Sequence, residues 1–159
     1  MKEQQKKYEL TDEFIEIFGG KKLYRIKALV SFGVVVAGQL GGFIESEKNL
    51  DQSLSGNAWV SSNARVYGSA RVYGDAWVRS HAVISEHKMI FWASNVGSEN
   101  GTLTVFNGKD GLIVTRGCFT GTVDEFLAKS AEVHDDKTKN EYKLLIEVAK
   151  SRILGVKDE

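Results

Sequence analysis

From Leu54 to Ile84 an aliphatic residue stands at every sixth position: Leu54, Val60, Val66, Val72, Val78 and Ile84. Two places before all but the first of them stands an alanine, giving Ala58, Ala64, Ala70, Ala76 and Ala82. Written in sixes from Asp51 the stretch reads DQSLSG, NAWVSS, NARVYG, SARVYG, DAWVRS, HAVISE. An α-helix, with about 3.6 residues per turn, would scatter these positions around its circumference, so a helix is rejected. An extended chain that turns a corner in every hexad accommodates them. Alanine and the aliphatic residue lie two apart on one strand face and point inward, while Trp59, Arg65, Arg71, Trp77 and Val83 between them point outward. The small polar and glycine residues of YGS, YGD, SSN and RSH suit the corners.

In these residues the chain resembles the hexapeptide-repeat family, which folds as a left-handed parallel β-helix. Its pattern, an aliphatic residue with a small one four places later, is met by Leu54/Ala58, Val60/Ala64, Val66/Ala70, Val72/Ala76 and Val78/Ala82. The family's Gly, Ala, Glu or Asp directly after the aliphatic residue is replaced by Ser55, Ser61, Tyr67, Tyr73 and Arg79, with Gly56, Gly68 and Gly74 one place later. Three hexads per turn, which the resemblance implies, would stack residues 18 apart at a spacing of about 4.8 Å. Trp59 then sits under Trp77, Val60 under Val78, Arg65 under Val83 and Ser53 under Arg71.

The flanks follow other periods. EFIEIFGGKKLYRIKAL has two extended stretches around GGKK and predicts a hairpin, and AGQLGGFIESEKNL leads into the first hexad. Leu103, Val105, Leu112 and Val114 alternate around Asn107–Gly108 and predict a second hairpin. Thr122 with Glu125 is a capping box that starts a helix over about 122–133. A second helix within KNEYKLLIEVAKSRIL puts Tyr142, Leu145, Ala149 and Ile153 on one face and ends at Gly155. The expectation is one domain over 1–159, mainly β: hairpin and lead-in at 8–50, a short left-handed parallel β-helix at 51–86 flanked by hairpins, and a hairpin plus two C-terminal α-helices at 90–159. The hairpins and helices would cap the open strand edges of so short a coil. The wider string from LYRIKAL to the closing helix is similar to a group of phage and prophage accessory proteins, which carries no activity to transfer.

Composition removes several classes of function. Basic and acidic residues balance at 21 each, so no global field recruits nucleic acid or an acidic membrane. The start MKEQQKK reads as a solvated tail. The longest apolar run, residues 28–38, is shorter than the roughly 20 residues a membrane helix needs. With no charged-then-apolar leader pattern, a cytoplasmic location in a host cell is expected. Cys118 stands alone, which excludes a disulfide framework and a cysteine-rich zinc site.

An enzyme of the hexapeptide family would be an acyltransferase using acetyl-coenzyme A with a histidine base, and His81, His87 and His134 are the candidates. His81 fills a corner slot that Asn57, Asn63, Ser69 and Asp75 fill elsewhere, and His87 has only its neighbour Glu86 as a partner. No catalytic residue, cofactor or metal is therefore assigned. The favoured expectation is a non-enzymatic phage- or prophage-encoded accessory binding protein, with a counter-defence inhibitor of a host protein such as a CRISPR effector as its specific form. An acyltransferase and a structural oligomer are the competing readings. The candidate interaction surface is the outward set Trp59, Trp77, Tyr67, Tyr73, Arg65, Arg71 and Arg79, with the Trp pair foremost as a partner or self-association face; the other reading of that pair is that the flanking segments cover it. A host protein is the expected partner, with self-association next. Nucleic acid is disfavoured because the arginines fall on different faces.

Overall fold

The computed structural model of the protein describes residues 6–97 and 99–155. It is mainly β, with two C-terminal helices. β1 (Tyr8–Ile17) and β2 (Lys21–Ala28) form the expected antiparallel hairpin, turning at Phe18, Gly19 and Gly20. Residues 1–5 of the basic start lie outside the described residues and Lys6 is exposed, but Lys7 is buried, which corrects the reading of a solvated tail at that residue. Its ammonium lies over the Phe32 ring at 4.5 Å. Burial pushes its pKa down and the nearby Asp51 and Asp75 pull it back up.

β3 (Leu40–Ile44) pairs antiparallel with β2 and then parallel with β5 (Arg65–Val66), which pairs parallel with β7 (Val83–Ile84). β4 (Trp59–Val60) pairs parallel with β6 (Trp77–Val78). The registers are Trp59 with Trp77, Val60 with Val78, Arg65 with Val83 and Val66 with Ile84, at the 18-residue spacing expected. All five repeat alanines are buried at 0–1% exposure and pack with Val60, Val66, Val72, Val78 and Ile84 in one core.

The third side corrects the expected register. Leu50, and not Leu54, takes the inward slot and bridges Val72, so Ser53 does not sit beneath Arg71. Leu50 is fully buried whereas Leu54 is 50% exposed. Ile44, six residues before Leu50, pairs with Val66. The inward series therefore runs Ile44, Leu50, then, after four extra residues, Val60 onward.

Polar contacts decide between the two leucines. Asn49, itself buried, donates through Nδ2 to the carbonyls of Gly68 and Ala70 at 3.2 and 2.9 Å. Tyr8 Oη donates to the carbonyl of Leu50, and the Gln52 amide accepts from Lys7 N and donates to Tyr8 O. Sliding the frame by four residues would break this set.

The corners explain the displaced glycines. Ser62, Gly68, Gly74 and Ser80, each two places after an inward valine, have φ of 58°, 62°, 63° and 63°. A left-handed residue is thus required at every sixth position, and glycine adopts it without the steric cost a side chain brings. At Gly68 a Cβ would also come to 2.6 Å from the carbonyl oxygen of Ser85. The amide of Gly68 donates to Glu45 Oε1 at 2.9 Å, and Glu45 Oε2 accepts from Lys21 at 3.0 Å.

These contacts, the Gly68 amide first, hold the Glu45 carboxyl below its ordinary range. Because the folded pKa lies below the unfolded one, the stabilisation is full above the ordinary glutamate value, about 4.3, and is lost as pH falls through the folded value. Denaturant titrations between about pH 5 and pH 3 should show stability falling with acidification, and less steeply in Glu45→Gln.

After the stack, β8 (Ile90–Val96), β9 (Gly101–Gly108), β10 (Gly111–Arg116) and β11 (Phe119–Thr122) form an antiparallel sheet in the order β11-β10-β9-β8. The β9–β10 turn is Lys109–Asp110, since Gly108 pairs with Gly111, so the hairpin turns two residues later than Asn107–Gly108. One face of this sheet, with Ile90, Trp92, Phe106 and Ile113, closes the core of the stack. The other, with Leu103, Val105 and Val114, packs on the helices.

Capping of the stack is specific. The buried Thr104 accepts from Trp77 N at 3.2 Å, the buried Thr115 donates to Trp77 O at 2.8 Å, and Asn107 Nδ2 donates to Val83 O at 2.9 Å. α1 (Val123–Val133) carries the reciprocal Thr122/Glu125 capping box. α2 (Asp136–Leu154) begins earlier than expected because Asp135 caps it by accepting from Thr138 N, and it ends at Gly155 in the left-handed conformation. Tyr142, Ile146, Ala149 and Ile153 are its buried residues, with Ile146 in place of Leu145.

Candidate functional site

A cavity of about 540 Å³ opens where the stack meets the antiparallel sheet. Its wall on the stack is Asn57, Asp75, Trp77 and Arg79; Thr102 and Thr115 come from β9 and β10, and Gly117 and Cys118 from the β10–β11 turn. Gly33 and Val34 form the rim.

Trp77 is fixed from three sides. Thr104 and Thr115 hold its backbone, and its indole Nε1 donates to the carbonyl of Asn57 at 3.0 Å. The Arg79 guanidinium lies over its ring, 4.7 Å from the centroid, and donates through Nη2 to the carbonyl of Gly117. Burial pushes the Arg79 pKa down, though an arginine stays charged. The cavity thus presents a fixed cation and an aromatic edge among apolar surface and a few hydroxyl and amide groups, a composition common to sites that seat another molecule's side chain or ring.

The rim is unusual for its residue type. Phe32 and Val35 exchange backbone hydrogen bonds at 3.0 and 2.8 Å, which makes Gly33–Val34 the tip of a two-residue turn. Phe32 packs edge-on against Trp59 at 5.4 Å and Val35 is buried, so the turn is pinned to the core. Turn tips favour Asn, Asp and Gly. Here the tip carries Val34, 72% exposed, at the mouth of the cavity.

The candidate surface read from the repeat is divided by the structure. Trp59 stacks in register with Trp77 as expected, but it is 2% exposed beneath Tyr8 and Phe32 and forms no part of any surface. A paired Trp face for self-association is thereby removed. Trp77 and Arg79 line the cavity described above. Tyr67 is half-buried. Exposed Tyr73 packs edge-on against Trp92, with Arg71 over its ring at 5.5 Å. Arg65 faces a separate groove.

His81 is exposed at a corner, His87 is exposed in a 3-10 turn, and His134 caps α1 with its Nδ1 2.9 Å from Ser130 Oγ. Among the described residues no group of three His, Cys, Asp or Glu side chains is placed to hold a metal ion, and no helix is long and apolar enough to cross a membrane. Sequence reasoning missed Val34, Thr102, Thr115 and the pocket role of Cys118. The one signal available was the apolar run after Gly33, too short for a membrane helix and too apolar for an exposed turn.

No protein-family model, curated protein or solved structure matches this chain.

Proposed function

We propose that this chain is a non-enzymatic binding protein that recognises a protein partner through the cavity beside Trp77 and its Val34 rim. The observation that carries the reading is the Trp77–Arg79 pair, held in place at a cavity whose rim carries the exposed Val34. Tryptophan and arginine are the residue types enriched in protein-binding hot spots, and the valine beside them extends the apolar part of that surface.

The stack is read as a short left-handed parallel β-helix. The 18-residue parallel register on two sides and the left-handed corner at every sixth residue support that reading. It acts as the rigid frame for the cavity. The partner is proposed to be a host protein and the purpose inhibition of host defence; the ground for both is the resemblance read in the sequence to phage and prophage accessory proteins, and no residue of the cavity specifies either.

The test is capture from host lysate by the intact protein and by Val34→Asp/Arg79→Gln, with thermal melts as the folding control. Val34 is exposed and Arg79 is half-buried on the Gly117 carbonyl, so the variant should melt cooperatively, below wild type only by the loss of that contact, and should lose a partner that wild type retains. Equal capture by the two proteins overturns the reading. Transfer of the acetyl group from acetyl-coenzyme A to an amine or hydroxyl acceptor, with release of the free thiol, would replace it with the acyltransferase reading.

A further inference from the structure

A second cavity, of about 670 Å³, lies over the outer face of the five-stranded sheet. Its floor is a cross-strand row set by the register: Arg25 on β2 opposite Phe43 on β3, Phe43 beside Arg65 on β5, and Arg65 beside Val83 on β7. Lys109 and His81 close one end and Glu13 the other. Three permanent cations thus face one carboxylate, on a chain whose overall charge is zero.

The cations are not equivalent. Arg25 is fully engaged: its Nε pairs with Glu13 at 2.9 Å, its Nη1 donates to Gly41 O at 2.6 Å, and its guanidinium lies 4.3 Å from the centre of the Phe43 ring. Arg65 and Lys109, both exposed, have no carboxylate within ion-pair distance among the described residues. The Lys109 amide donates to the carbonyl of His81 at 2.9 Å, which pins the β9–β10 turn against the corner carrying the imidazole. β5, a corner of the stack and the β9–β10 turn therefore each contribute a donor-bearing residue to the lining of one cavity.

The geometry points to a binding site for a small organic phosphate. A tetrahedral oxyanion offers oxygens in three directions to donors arriving from three segments, whereas a carboxylate offers two in one plane. Arg65 supplies a planar fork, Lys109 a point charge and His81 a ring N–H. The half-exposed Ile15 and Val83 form the apolar wall that receives the body carrying the phosphate. A cavity of this size suits a small molecule. This site is separate from the Trp77 cavity and does not depend on its function.

The test is calorimetric titration of the full chain at low ionic strength with phenyl phosphate, inorganic phosphate and benzoate. Phenyl phosphate should bind saturably and tightest, and its affinity should fall with added salt. Arg65→Ser and Lys109→Ser should each weaken it about tenfold, the loss of one charge-assisted contact. Arg71→Ser, which removes an exposed arginine on another side of the stack, should leave it unchanged, and so should Val34→Asp/Arg79→Gln. Benzoate binding as tightly as phenyl phosphate, equal affinity in wild type and Arg65→Ser, or the absence of saturable binding would each overturn the assignment.

Discussion

Leu50→Ala is expected to lower the unfolding free energy by about 3 kcal/mol, the usual range for truncating a fully buried leucine. Leu54→Ala should lower it by less than about 0.5 kcal/mol, as for an ordinary surface site. The two residues are four apart, both fit the aliphatic slot, and only one can face Val72. Leu50 is buried against the repeat core and its carbonyl is held by Tyr8, whereas Leu54 is half exposed on the excursion between Leu50 and Val60. For a chain of this size the difference should appear as a drop in melting temperature of roughly 3 °C per kcal/mol, about 9 °C for Leu50→Ala and near zero for Leu54→Ala. The reverse order would restore the uninterrupted hexad frame and place Ser53 beneath Arg71.

Thr104→Val/Thr115→Val is expected to cost about as much, roughly 3 kcal/mol, although valine keeps the shape and both threonines are buried. The hydroxyls satisfy the amide and the carbonyl of Trp77 at the last rung of its side of the stack. Valine at both sites leaves one donor and one acceptor buried without a partner, at about 1–3 kcal/mol each. Denaturant unfolding of the double variant measures the sum. A loss below about 1 kcal/mol would mean that water reaches this rung and that the two threonines do not cap it.

The legible part of the fold was the part built by repetition. A slot that demands a small or aliphatic side chain every six residues announces itself, and the registers of Trp59 with Trp77 and Arg65 with Val83 followed from counting. The four-residue excursion after Leu50 was hidden for the same reason. Leu54 satisfies the pattern as well as Leu50, and the tie is broken by Asn49, Tyr8 and Gln52, whose hydrogen bonds reach across more than forty residues of sequence in the case of Tyr8 and Gln52. The left-handed corners at Ser62 and Ser80 were obscured because serine there replaces the glycine used at 68 and 74.

β8 escaped detection because its sheet is buried on both faces. Trp92 faces the stack and Phe91 the helices, so no clean alternation of apolar and polar residues marks the strand. The Trp77 cavity was half legible. Its wall on the stack lies in the repeat, but Val34, Thr102, Thr115 and Cys118 are brought to it only by tertiary packing. Of the two readings of the Trp pair, exposed or covered by the flanks, the structure gives the second for Trp59, since the stretch containing Phe32 folds over it.

The two cavities divide the outward residues of the repeat between them, with Trp77 and Arg79 in one and Arg65 in the other. Once capture has supplied the partner, its affinity for wild type and for Val34→Asp/Arg79→Gln, measured side by side by calorimetry, asks most directly whether the Trp77 cavity is the recognition site. Recognition through this cavity requires a loss of at least about a hundredfold, close to 2.7 kcal/mol, in a variant that still melts cooperatively above the assay temperature. Equal affinity of the two proteins would contradict it.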